Sequence, residues 1–84
     1  MLVNLFSYPA IFKRANKEDG YVITFRDVPE AITQAESFKD CFIEAADCLD
    51  EAIAGRIGDG IDIPKPSNKR SYEHVISVIN ATPK

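Results

Sequence analysis

The chain has 84 residues, of which 45% are hydrophobic and 27% charged, and its formal net charge is −3 at pH 7. This length allows one domain, and this composition is typical of a folded globular domain and not of a disordered segment. The negative charge argues against a nucleic-acid-binding surface in this piece and favours a basic protein partner. The apolar runs are shorter than the ~20 residues of a membrane helix, and the first residues lack the positive region of a signal peptide.

The first strand candidate runs from Leu2 to Lys13. Pro9 lies within it and has no N–H, so its nitrogen must face an edge or a gap in the strand pairing. Asp19 and Gly20 separate this run from the next apolar run. An Asp-Gly pair in that position is a strong signal for a β-hairpin.

Two further strands are predicted before the middle of the chain. Tyr21 to Arg26 is the clearest, because aromatic and branched residues share one side of a period-two pattern. The segment Asp27-Val28-Pro29-Glu30 breaks it, and a third short strand follows from Ala31 to Glu36. The short links predict an antiparallel meander of three strands.

The segment from Ser37 to Ile57 is predicted to be a long helix with Ser37 as its N-cap. Its apolar residues recur every three or four positions, which is the pattern of one helical face. They are Phe38, Cys41, Phe42, Ala45, Cys48, Leu49, Ala52 and Ile53. Arg56 suits the negative end of the helix dipole, and Gly58 is predicted to take the left-handed position that ends the helix.

The two cysteines, Cys41 and Cys48, lie seven residues apart on this helix. A rise of about 1.5 Å per residue separates their Cα atoms by roughly 10 Å, which is beyond the reach of a disulfide. We therefore expect buried, reduced thiols, and these predict a cytoplasmic location.

The remaining chain is predicted to form a connector and one last strand. Ile61 to Ser67 contains two prolines and is predicted to be extended. Tyr72 to Ile79 is rich in Val and Ile and reads as a strand. The order β-β-β-α-β predicts an α+β domain, in which a small antiparallel sheet carries one long helix across one face.

Several segments, taken in order, resemble the HicB antitoxin family. They are Tyr8-Pro9-Ala10-Ile11-Phe12, Asp19-Gly20-Tyr21-Val22-Ile23-Thr24-Phe25, Asp27-Val28-Pro29-Glu30-Ala31-Ile32-Thr33-Gln34 and Ile63-Pro64-Lys65-Pro66-Ser67. The resemblance extends from about Tyr8 to Ile79. It implies a partial ribonuclease H-like fold with the same β-β-β-α-β order.

The resemblance also implies a function. Members of this family are antitoxins that sequester a HicA-type toxin, which is a small ribonuclease. Many also carry a C-terminal domain that binds DNA and represses the operon that encodes the pair. We expect residues 1–84 to form one antitoxin domain, with that DNA-binding domain absent from this chain.

A ribonuclease H-like fold raises the alternative of a metal-dependent nuclease, which needs several carboxylates around two ions about 4 Å apart. No predicted strand carries an acid at its centre. His74 is the only histidine and has no Cys or His at metal-ligand spacing. We therefore predict no catalytic residue, no metal site and no cofactor. A self-associating structural domain without a toxin is a third possible function.

Five acidic residues predict where a basic toxin binds. Asp27 and Glu30 lie in the loop after the second strand, and Asp40, Glu44 and Asp47 form a stripe on the helix. Both groups flank the junction between the third strand and the helix, so we expect one acidic patch that blocks the RNA-binding surface of the toxin. A solvated helix face is the simpler interpretation of the stripe.

Ile11 and Val22 predict a second surface. They lie on the opposite side of their strands from the residues that are predicted to face the helix. A single helix covers only one face of a sheet, so the other face is expected to be partly apolar and uncovered. Such a surface predicts self-association into a homodimer or a larger assembly.

Overall fold

The computed structural model describes residues 7–15 and 20–78, and it confirms the α+β class and the predicted order of elements. The elements are β1 (Ser7–Arg14), β2 (Tyr21–Phe25), β3 (Ile32–Ala35), α1 (Phe38–Gly58) and β4 (His74–Ser77). The predicted start of the first strand at Leu2, the turn residue Asp19 and the predicted end of the last strand at Ile79 lie outside the described residues.

The four strands form one antiparallel sheet in the order β3-β2-β1-β4. The first three strands form the predicted meander, and β4 returns beside β1 after the helix. Since β1 and β2 lie in the middle, β3 and β4 are the two edges of the sheet. The helix α1 packs across one face.

The core lies between α1 and the sheet. Every second residue of a strand faces the helix, and helix residues four apart face the sheet, because side chains alternate along a strand and recur about every four residues along a helix. The buried apolar residues are Tyr8, Ala10, Ile23, Phe25, Val28, Ala31, Cys41, Ala45, Leu49, Ile53 and Ile76. Phe38 and Phe42, which are predicted to face the core, are instead 46% and 40% exposed. Both lie in the first two turns of α1, where their rings contact Phe12 and His74 edge-on.

The ends of α1 are set by local hydrogen bonds. Ser37 is the N-cap, as predicted, and its Oγ accepts from the N–H of Asp40 at 3.1 Å. The prediction for Gly58 is wrong, because Gly58 is the last helical residue and Gly60 takes the left-handed conformation, with φ of +70°. The N–H groups that follow then bond back into the last turn, which is the Schellman arrangement: Gly60 to Ile57 and Ile61 to Arg56.

Pro9, which has no N–H, lies at a position of β1 where no neighbouring strand needs one. Ala15, just past the strand, donates its N–H to the carbonyl of Gly20 at 3.0 Å, so the odd-numbered residues of β1 point toward β2. The nitrogen of Pro9 points to that same side, where pairing begins only one residue later, at Ala10 and Phe25. The missing N–H of Pro9 therefore costs the sheet no hydrogen bond.

Gly20 generates a prediction about stability. Its φ is +124°, and a Cβ there would lie 2.8 Å from the carbonyl oxygen of Ala35. We expect Gly20→Ala to lower the free energy of unfolding by about 1–3 kcal/mol, the usual range for a strained backbone position. Gly55, in the helix with nothing within 4 Å of an added Cβ, is the matched control. Gly55→Ala should raise stability by about 0.5–1 kcal/mol, and urea unfolding followed by circular dichroism measures both.

Candidate functional site

Two of the five acids predicted to bind the toxin, Asp27 and Glu30, have partners inside the protein. The carboxylate of Asp27 accepts hydrogen bonds from the N–H and the hydroxyl of Ser67, at 2.7 and 2.6 Å. Glu30 forms a two-point ion pair with Arg56, in which Nη2 donates at 2.8 Å. The side-chain hydrogen bonds from Arg56 lower the pKa of the Glu30 carboxyl. These two acids therefore fasten the loop after β2 to the connector and to the end of α1.

The other three acids, Asp40, Glu44 and Asp47, are exposed on α1. Among the described residues none of them forms an ion pair. Asp40 and Glu44 line a cavity of about 580 Å³ at the β3 edge of the sheet, and Glu36 lines it with them. Among the described residues of this lining, three are acids and none is a cation. We call Glu36, Asp40, Glu44 and Asp47 the acidic surface.

The structure separates the two groups of acids. Asp40 and Arg56 are sixteen residues apart on α1, and a rise of about 1.5 Å per residue sets their Cα atoms about 24 Å apart. Glu30 is bonded to Arg56, so it lies at the opposite end of α1 from Asp40. The expected single patch does not form, because the loop after β2 packs against the helix C-terminus and not against its N-terminus.

A buried ion pair between Arg26 and Glu73 was not anticipated from the sequence. Glu73 is 1% exposed and receives hydrogen bonds from Nε and Nη2 of Arg26, at 2.7 and 3.1 Å. The backbone N–H of Arg70 donates to the same carboxylate at 2.8 Å. The hydrogen bonds from Arg26 are the largest of the effects that lower the pKa of Glu73 to about 2. A pair of charges 47 positions apart leaves no periodic signal that a sequence pattern would reveal.

An aromatic cluster lies beside β4 on the helix-bearing face of the sheet. The imidazole of His74 stacks on the ring of Phe12 at 4.4 Å between centroids, and the rings of Phe38 and Phe42 meet His74 edge-on at 5.4 and 5.5 Å. We call Phe12, Phe38, Phe42 and His74 the aromatic cluster. The period of four between Phe38 and Phe42 was the available signal, but it indicated a core position.

The face of the sheet opposite α1 is partly apolar, as expected. Ile11 is half-buried there, whereas Val22, Ile32 and Val75 are 39%, 61% and 50% exposed. Val22 also lines the cavity beside the acidic surface. Self-association through Ile11 and Val22 stays a prediction.

Other kinds of site were sought in the described part of the chain. Residues 7–15 and 20–78 contain no group of three His, Cys, Asp or Glu side chains that could hold a metal ion. Both cysteines are free thiols, and burial raises the pKa of each, which is the opposite of what an activated nucleophile needs. No helix in these ranges has both the length and the apolar character that a membrane crossing requires.

A small α+β domain with an exposed acidic surface of this kind has the features of a protein-binding module. Residues 7–81 match the model of the HicB_like antitoxin of bacterial toxin–antitoxin systems. The chain is also similar to Antitoxin HicB of Escherichia coli strain K12 and to that of E. coli O157:H7. Each is 38% identical over 71 residues, which is 84% of this chain and 51% of the relative. The chain therefore belongs to the HicB-like antitoxin family, and it spans about half the length of the curated relatives it matches.

The two ion pairs should contribute unequally to stability. Removing the charge of buried Glu73 with Glu73→Gln should cost about 1.5–3 kcal/mol, because hydrogen bonds to a charged group are lost. Glu30→Gln is the matched control: its carboxylate also pairs with an arginine, but its side chain is 45% exposed. That change should cost at most about 1 kcal/mol. Equal losses in urea unfolding would contradict this ranking.

The pKa of Glu73 also predicts a pH dependence. The folded-state pKa of about 2 lies below the ordinary value of 4.5, so the unfolded chain takes up the proton first as the pH falls. The stabilisation by Glu73 is fully present above pH 4.5 and is lost as the pH falls toward about 2. The stability difference between the wild type and Glu73→Gln should therefore be constant above pH 5 and shrink below 4.5. A difference that does not change down to pH 2.5 would show that Glu73 is not the group that titrates.

Proposed function

We propose that this protein neutralises a small HicA-type ribonuclease toxin by covering the RNA-binding surface of the toxin. Membership of the HicB-like antitoxin family supports this proposal. The HicA-type toxin is what the family resemblance implies, and the way in which it is held is inferred from the surface described above. The protein acts in this scheme as a binding partner and not as an enzyme, and it meets its toxin in the cytoplasm.

The observation that carries the proposal is the acidic surface. Proteins that bind RNA present a basic surface to the phosphates, so a protein that blocks them needs negative charge in a matching place. Glu36, Asp40 and Glu44 line one cavity of about 580 Å³, which is large enough to receive side chains of a partner. Asp47 extends the same charge along α1.

The distribution of internal hydrogen bonds and ion pairs favours α1 over the loop after β2 as the surface that binds the toxin. Asp27 and Glu30 already receive hydrogen bonds from Ser67 and Arg56, so a basic partner would have to compete with these internal contacts. The acids of the acidic surface have no such competitor among the described residues. Contact of Asp27 and Glu30 with the toxin stays a prediction.

Operon autorepression, which the family resemblance implies for longer members, needs a different surface. A net charge of −3 and the acidic surface repel the phosphates of duplex DNA. Any operator binding therefore belongs to a separate DNA-binding domain and not to the surfaces of this one. No observation on the described residues favours the alternative of a metal-dependent nuclease.

Reversal of charge on α1 tests the proposal. We expect Asp40→Lys/Glu44→Lys/Asp47→Lys to weaken the complex with the HicA-type toxin at least about tenfold, since a total loss of 1.4 kcal/mol is sufficient. Single neutral changes such as Glu44→Gln should weaken it only a few-fold, because exposed charges chiefly tune the association rate. Titration calorimetry at two salt concentrations measures both the affinity and its salt dependence.

A matched pair of double variants separates a specific contact from bulk charge. Asp40→Lys/Glu44→Lys and Asp59→Lys/Asp62→Lys change the net charge equally, and all four residues are exposed. Only the first double variant should weaken toxin binding. Equal weakening by both would mean that the acidic surface is merely a solvated helix face. If the toxin does not co-purify with the wild-type chain on co-expression, the proposed function itself is wrong.

A further inference from the structure

The exposed edge of β3 lies next to the acidic surface. The strand consists of Ile32–Ala35, and none of these residues is charged or a proline. Gln34 and Ala35 line the same cavity as three residues of the acidic surface. Natural sheets usually protect a free edge with charges or proline, because such an edge is a template for another strand. We propose that an extended, basic segment of the toxin pairs with β3 and adds a strand to the sheet, an inference that rests on the proposed function.

The backbone of β3 has hydrogen-bonding groups that point out of the sheet. Because the odd-numbered residues of β1 point toward β2, the even-numbered residues of β2 point back toward β1 and its odd-numbered residues point toward β3. These odd-numbered residues are the partners of Thr33 and Ala35, which therefore point toward β2. The N–H and C=O groups of Ile32 and Gln34 point the other way. No strand among the described residues lies on that side.

The two faces of the sheet define the side chains that the added strand carries. Successive side chains of a strand alternate between the two faces. On the helix-bearing face they meet Asp40 and Glu44, which line the cavity beside Gln34. On the opposite face they meet Ile32 and Val22, which are 61% and 39% exposed. The matching segment of the toxin therefore has basic and apolar residues in alternation.

Charge selects the occupant and the edge. An added strand gains affinity from its backbone hydrogen bonds and specificity from its alternate side chains. The described lining of the cavity has three acids and no cation, so a basic strand gains favourable contacts there. A second copy of this chain would bring its own acids to the same place, and like charges that face one another are unfavourable. β4, at the other edge, contains no acid and offers a basic segment no such contact.

A proline at Gln34 tests the edge directly. The N–H of Gln34 points outward, so Gln34→Pro removes a donor to the toxin and no bond between β2 and β3, at an edge position where strands tolerate proline. We expect it to weaken the complex with the HicA-type toxin about tenfold, because a carbonyl of the toxin loses its donor. Gln34→Thr keeps the N–H and is the matched control, so it should bind as the wild type does. Titration calorimetry measures both affinities.

A matched pair of isoleucines tests the apolar side of the added strand. Ile32 and Ile61 are 61% and 53% exposed, but Ile61 lies just past the C-terminal end of α1, far from the cavity. We expect Ile32→Ser to weaken toxin binding several-fold and Ile61→Ser to leave it unchanged. An effect of Ile32→Ser that is no larger than that of Ile61→Ser would overturn the placement at β3.

Hydrogen exchange shows the backbone contact and decides the matter if circular dichroism shows that Gln34→Pro does not fold. When the toxin is added to the wild type, the amides of Ile32 and Gln34 should become protected. Unchanged amides, or a folded Gln34→Pro variant that binds as tightly as Gln34→Thr, would overturn strand addition while the wild-type complex, and with it the proposed function, still stands. A wild-type chain that does not bind the toxin at all would overturn both.

Discussion

The ion pair between Arg26 and Glu73 is the contact on which the return of the chain to the sheet as β4 depends. Glu73 directly precedes β4, and Arg26 directly follows β2, so the pair ties the start of the last strand to the middle of the sheet. Arg26 also donates to the carbonyl of Asn68 at 2.6 Å. A carboxylate that is 1% exposed would be costly without these donors, whereas with them it holds the connector in one path.

The connector carries the chain from the helix end to the far side of the sheet through a series of such polar contacts. The carbonyl of Asp62 accepts from Arg56, the carbonyl of Pro64 accepts from the hydroxyl of Tyr8 at 2.7 Å, and Ser67 binds Asp27. These contacts replace regular secondary structure over residues 61–70. Two of the acids that the sequence offers for toxin binding, Asp27 and Glu30, therefore also hold the fold together.

The described surface is divided by charge. Exposed acids lie at the β3 edge and along α1, whereas β4, from His74 to Ser77, contains no acid and no lysine. The charge that would favour a basic partner is therefore concentrated on one side of the domain.

The sequence by itself determined the features that depend on neighbouring residues. The period-two pattern of Tyr21 to Phe25, the helical period from Cys41 to Ile53 and the N-cap at Ser37 all appear in the structure, because each arises from backbone geometry within a few positions. The order of the motifs also led to the correct family. The left-handed residue after the helix was predicted at Gly58, but it is Gly60, whose N–H bonds back to the last helical turn.

Tertiary structure decided which of the similar residues form contacts inside the fold. Asp27, Glu30, Asp40 and Glu44 are all acids in loops or in the first half of α1. The path of the connector and the position of Arg56 give the first two partners inside the protein, whereas the other two have no ion pair among the described residues. The burial of Glu73 and the exposure of Phe42 have the same origin. The partner of a charged side chain and the residues that bury an apolar side chain are often dozens of positions away in the sequence. Tertiary packing brings them together, and a local sequence pattern does not show it.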